Sequence, residues 1–143
     1  MFAYKAVRQQ ITPKQELCDM METFRQMVNE CIEIGLDEKI STLGKFSSLH
    51  YKDLDKYDIQ SKYKLTAMSQ TMGRLSQRKR DIKKGRNPKS PYIKKLYLVS
   101  CYEFKINGIL LSIPIGNKDK SLVILNDHIV SELKGVEVRS FTI

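Results

Sequence analysis

The sequence predicts an α+β fold, a small β-barrel-like domain interrupted by an inserted three-helix bundle. Three observations carry this. Apolar residues recur at helical spacing through residues 17–32 and again, more loosely, through 59–82. After Pro91 the pattern changes to alternation among β-formers. A short strand-like start has no neighbour except those late strands, so the helices read as an insertion. The expected boundaries are residues 1–10 for the first strand, 11–87 for the helical insertion and 88–143 for the rest of the β-domain.

Phe2 and Tyr4 alternate with Ala3 and Lys5, which suggests a strand over 2–10. "TPKQ" at 12–15 signals a helix start: Thr12 as cap, Pro13 at the first helical position, Gln15 completing a capping box. Leu17, Met20, Met21, Phe24, Met27, Val28, Cys31 and Ile32 follow on one stripe, and Gly35 reads as the C-terminal cap. Ile40, Leu43, Phe46 and Leu49 predict a shorter helix over about 38–49, and "YKDLDKYD" a connection. Asp58 is the expected cap of a third, long helix carrying Ile59, Tyr63, Met68, Met72, Leu75 and Ile82. Gly85, Asn87, Pro88 and Pro91 break it. "KLYLVSCYEFKI" predicts a strand, Asn107-Gly108 a hairpin turn, and "ILLSIPI" the partner strand. "GNKDK" follows as a loop, then "SLVIL" as a strand. Asn126 or Asp127 caps a short helix closed by Gly135, and "VEVRSFTI" makes a last strand.

With 41% hydrophobic and 29% charged residues the balance is globular, and 143 residues suffice for one core. No apolar run approaches a membrane span and the first residues lack signal-peptide character, so the sequence predicts a cytoplasmic protein without a membrane partner. Cys18, Cys31 and Cys101 are too few and too scattered for a disulfide framework. Cys18 and Cys31 lie roughly 20 Å apart along one helix, too far to share a metal ion. These thiols are expected to be buried and inert.

The charge is unevenly placed. "RLSQRKRDIKKGRNPKSPYIKK", residues 74–95, holds ten Lys or Arg and one acid, Asp81; the other 121 residues carry fifteen bases and fifteen acids. The whole net charge of +9 therefore sits in this tract. Arg74/Arg78, Lys79/Lys83 and Arg80/Lys84 are like-charged pairs at i,i+4, costing the helix about 1 kcal/mol together. A polyanion would relieve that repulsion, so the tract points to RNA or DNA bound through phosphates. The expected contacts are Arg74, Arg78, Lys79, Arg80, Lys83, Lys84, Arg86 and Lys89, continued by Lys94 and Lys95. Tyr92 and Tyr97 are candidates for stacking on bases. The structural alternative is a solvated helix end whose bases complement the helix dipole.

No catalytic constellation is present. Asp53, Asp55 and Asp58 fail a calcium loop, since its sixth and twelfth positions would hold Asp58 and Lys64. No P-loop, GxSxG or HExxH occurs, and His50 and His128 fall near element ends. No cofactor, metal or enzymatic activity is expected.

The order of pieces resembles the N-terminal region of transposon-encoded TnpB (OrfB) proteins. The opening strand with "ITPKQELCDMMETFRQMVNECIEIG" is similar to that family's strand, "TP.Q" and helix with a "VYN"-like stretch, here Val28-Asn29 without the tyrosine. "YKDLDKYDIQSKYKLTAMSQTMGRL" is similar to its Tyr-x-x-Leu connection and long helix. "GRNPKSPYIKK" looks like the linker back to the β-domain, and "SIPIGNKDKSLVIL…VEVRSFTI" like the strands before the nuclease domain. The resemblance covers essentially the whole chain. It implies a wedge-type β-barrel with a helical recognition lobe, the part of an RNA-guided DNA endonuclease related to type V CRISPR effectors. In that family this part holds the guide RNA scaffold and heteroduplex and helps read a short DNA motif. The RNase H-like (RuvC) domain that carries the family's catalytic acids would begin after "VRSFTI", followed by a Cys-rich zinc element. Neither is in the sequence, so a truncated gene product, a domain-only relic or a deliberately made fragment is expected, unable to cut DNA. A function of another class is a protein-interaction or regulatory module that forms a homo-oligomer or pairs with a full-length transposase. The Met-rich first helix would be its adaptable surface.

Overall fold

The computed structural model describes residues 3–101, 103–116 and 119–143. It is mixed α+β: helices α1 (Gln15–Asp37), α2 (Leu43–His50), α3 (Lys62–Lys83) and α4 (Asp127–Glu132), with strands β1 (Lys105–Asn107), β2 (Leu110–Ile115) and β3 (Asp119–Ile124). A 3-10 helix, Tyr51–Lys56, links α2 to α3. Among the described residues no helix is long and apolar enough to cross a membrane.

The apolar stripe of α1 is buried as its spacing requires: Leu17, Met20, Met21, Phe24, Met27, Val28, Cys31 and Ile32 all lie in the core. The methionines thus serve the interior and offer no adaptable surface. Burial raises the Cys31 thiol to about 12, so it stays protonated. Two terminal signals are displaced. Lys14, not Thr12, is the N-cap residue and gives no side-chain cap. Gly35 lies inside the helix, and a Cβ there would meet Leu75 Cδ1 of α3 at 2.6 Å. Its missing side chain lets the two long helices approach. The helix ends at Asp37, and Lys39, two residues beyond, takes a left-handed φ of 53° so that Ile40 N–H reaches the Gly35 carbonyl at 3.2 Å.

Thr42 caps α2, accepting from Lys45 N–H at 3.2 Å. His50 ends α2 with both ring nitrogens on carboxylates, Nε2 to Glu38 and Nδ1 to Asp53, each at 2.7 Å. Asp55 takes the Nζ of Lys64 at 2.6 Å; this lysine is only 7% exposed. Two of the three clustered acids are thus spent on structural pairs. Asp58 does not cap α3, whose N-cap is Ser61.

The sheet is antiparallel, ordered β1-β2-β3, and open. The barrel expectation is not met, because three of the expected strands shrink. Residues 3–10 form no strand: Tyr4 is 72% exposed, so no face is buried to fix a register. Phe2 lies outside the described residues. The arm is held by side chains instead. Tyr4 lies under Arg139, Lys5 pairs with Glu132 at 2.8 Å, and Gln9 bonds Ile124 O and Asn126 N–H, each at 2.8 Å. Its neighbours are the expected ones, without a backbone ladder.

The strand expected over 95–106 shortens to Lys105–Asn107, and Tyr102 lies outside the described residues. Residues 98–101 divide their side chains differently, Leu98 and Cys101 entering the core at a spacing of three rather than two. The last strand reduces to a bridge, Val99 opposite Thr142, flanked by Leu98–Ile143 backbone bonds of 2.9 and 3.0 Å. The hairpin forms one residue later than expected. Asn107 pairs with Leu110, and Gly108 (φ 62°) with Ile109 makes the two-residue turn. Asn126 caps α4 at 2.9 Å, as its position suggests. In "GNKDK" Asn117 and Lys118 fall outside the described residues, and Asp119 and Lys120 already belong to β3.

Leu111 and Ile113 of β2 join the cluster made by α1 and α3, so helices and sheet share one core. Tyr63 fixes the seam. Its hydroxyl donates to the Pro114 carbonyl at 3.1 Å, beyond the point where β1 stops pairing with β2. That placement explains how a proline sits in the middle strand without removing a ladder bond.

Candidate nucleic-acid interface

The basic tract begins where α3 loses its core face. Leu75 is the last buried residue of the helix, and Ile82, expected on the core side, is 48% exposed. From Arg74 to Lys83 the helix therefore projects with bases on its surface. It closes in a Schellman motif. Gly85 takes φ 79°, its N–H reaches Ile82 O at 3.0 Å, and Arg86 N–H reaches Asp81 O at 3.0 Å. Arg86 also holds Asp81 through its guanidinium at 3.1 Å. The tract's one acid is thus spent on the turn.

After this turn the chain runs without regular structure back to α1. Two residues of α1 catch it. Asn29 accepts from Ile93 N–H at 2.8 Å and donates to Ile93 O at 3.1 Å, a carboxamide standing in for a neighbouring strand. Arg25 donates to the same carbonyl at 3.0 Å and to the Tyr92 hydroxyl at 3.3 Å. Glu22 grips the Arg25 guanidinium with both oxygens, and those bonds draw its carboxyl down to about 2. Ile93 is buried beneath this clamp.

The other contact is between Arg74 and Tyr97. The guanidinium lies 5.8 Å from the ring centroid, and the ring meets Phe24 edge-on at 5.3 Å. Burial raises the Tyr97 hydroxyl above its ordinary range, opposed by Arg74. Tyr97 is therefore a half-buried wedge between α1 and α3, unsuited to stacking on a base. Phe24 and Arg25 are consecutive, so the Arg74–Tyr97 and Arg25–Tyr92 contacts meet α1 at neighbouring positions.

Arg74, Lys79, Arg80, Lys83, Lys84, Arg86, Lys89, Lys94 and Lys95 are exposed; Arg78 is half-buried, with an Nε that finds no partner. Arg86 is the one base of the tract in an ion pair among the described residues. Elsewhere Lys5, Arg25, Lys56, Lys62 and Lys64 each hold a carboxylate. Outside the tract acids and bases are equal in number, whereas the tract's ten bases face one acid, already taken by Arg86. The clamp of Glu22, Arg25 and Asn29 was not visible in the sequence, because its partner lies more than sixty residues away.

A concavity of about 940 Å³, with Cys101, Phe104 and Ile106 on one side and Leu133, Val136 and Val138 on the other, shares no residue with the tract. Among the described residues no group of three His, Cys, Asp or Glu is arranged to hold a metal ion.

No protein-family model, curated protein or solved structure significantly matches this chain.

Proposed function

We propose that this chain is a non-catalytic nucleic-acid-binding module, cytoplasmic and related to the N-terminal region of TnpB-type proteins. On this reading it holds the backbone of a guide-type RNA or a target DNA along a helix-to-linker track. The barrel-like wedge of that family would be represented here by the open sheet with its strapped N-terminal arm. The observation that carries the proposal is the concentration of open charge: among the described residues nine of the tract's ten bases lack an ion-pair partner, eight of them exposed, and the tract's one acid is held by Arg86, whereas elsewhere fifteen acids balance fifteen bases. Exposed bases with free donors bind phosphate by releasing counterions, and the affinity is sequence-tolerant and salt-dependent.

The test is a variant with Lys79, Arg80, Lys83 and Lys84 changed to Gln. All four are exposed, and the change removes like-charge repulsion, so the fold should survive. Binding to a structured RNA and to duplex DNA should weaken alike. The slope of log K against log salt should flatten by about 3, at roughly 0.7–0.9 per lost phosphate contact. Unchanged affinity would remove the track from the account.

A further inference from the structure

We propose that Tyr92 is a fixed stacking platform for an unpaired base, so that the track takes single-stranded nucleic acid in preference to duplex. This rests on the track binding nucleic acid at all. Of the two tyrosines beside the bases, Tyr97 is wedged against Phe24 with Arg74 over it, whereas Tyr92 is 61% exposed. An exposed tyrosine is ordinarily mobile about its side-chain torsions. Tyr92 is held at both ends: its hydroxyl accepts from Arg25, itself gripped by Glu22, and the backbone of the next residue is pinned twice by Asn29. The ring is therefore presented rather than free, so little rotamer freedom remains to be lost when something lands on it.

The surroundings select what lands. Lys89 precedes the ring, and Lys94 and Lys95 follow it, all exposed. A backbone following these bases would carry its nucleotides past the ring. In a duplex the base faces are covered by their neighbours in the stack, and only phosphates reach such a surface. An unpaired nucleotide offers both a phosphate and a π-face, and base–aromatic stacking tolerates any base. The hydroxyl already serves Arg25, leaving the ring face as the usable part.

The experiment measures binding of a labelled poly(U) RNA strand, a poly(dT) strand of the same length and a blunt duplex of matching length to three proteins. These are the wild type, Tyr92→Leu and Tyr92→Phe. One or both single strands should bind the wild type at least tenfold more tightly than the duplex. Tyr92→Leu should lose about five- to hundredfold on the preferred strand, as expected for one stacked base, with duplex binding held within about twofold. Tyr92→Phe keeps the ring and the Ile93 backbone clamp but loses the Arg25 tether, so on the preferred strand it should fall between the wild type and Tyr92→Leu, and its unchanged duplex binding shows that the site still folds. Equal affinity for strand and duplex overturns the platform, as does a Tyr92→Leu effect that is absent or shared with the duplex. Either of those results leaves the track standing. Binding to none of the three overturns the track reading and the platform with it.

Discussion

Asn29 sits on α1, well before the basic tract in sequence, yet its carboxamide meets both backbone groups of Ile93. Replacing it with Ala should leave a part-buried N–H without a partner and cost about 1–3 kcal/mol in urea unfolding. On the proposed reading the same change should also weaken nucleic-acid binding, because it frees the linker that carries Lys94 and Lys95. His50 gives a pH-dependent counterpart. Hydrogen bonds donated to the Glu38 and Asp53 carboxylates favour its charged form and raise its pKa above the ordinary value. Its contribution is therefore fully present below about 6.5, the unfolded value, and is lost as pH rises through the higher folded value. Stability should fall from pH 6 towards pH 9, and the fall should be smaller in His50→Gln. An equal fall in both proteins would assign the effect elsewhere.

At the scale of elements, the contact between α1 and α3 turns on Gly35. Gly35→Ala places a methyl against buried Leu75 and should destabilise by about 1–2 kcal/mol, despite the helix propensity of alanine. In a Leu75→Ala background the same substitution should be neutral or stabilising, a reversal that a double-mutant cycle reads directly. This position also shows where the sequence is ambiguous. A glycine at the end of an apolar stripe signals a cap and a close approach equally well, and only the partner helix decides between them. The stripe of α1 was legible because every third or fourth residue had to enter one core. The strand over 95–106 was over-extended for the converse reason. Alternating β-formers look alike whether they pair with a strand or, like Leu98 and Cys101, feed a core built by helices. The two chain ends were expected as strands of the β-domain, and among the described residues neither forms one. Side-chain clips and one bridge replaced the ladders, since neither end buries a face.

For the molecule as a whole, the basic tract was legible as composition, while its exposure was not: only the structure shows that Leu75 is the last buried residue of α3 and that Asp81 is taken by Arg86. A merely solvated helix end and a phosphate track differ in what they do for stability and for binding. Lys79→Glu turns one repulsive i,i+4 pair into an attractive one and should stabilise the free protein by about 0.5 kcal/mol. If the tract is a phosphate track, the same substitution should weaken nucleic-acid binding, so gain and loss would appear in one variant. The most direct test of the central claim is binding of the unmodified chain to RNA and DNA across a salt series. A track with four to six phosphate contacts predicts a slope of log K against log salt of about −3 to −5. A slope near zero, or no binding at low salt, would contradict it and return residues 74–95 to the role of a solvated surface.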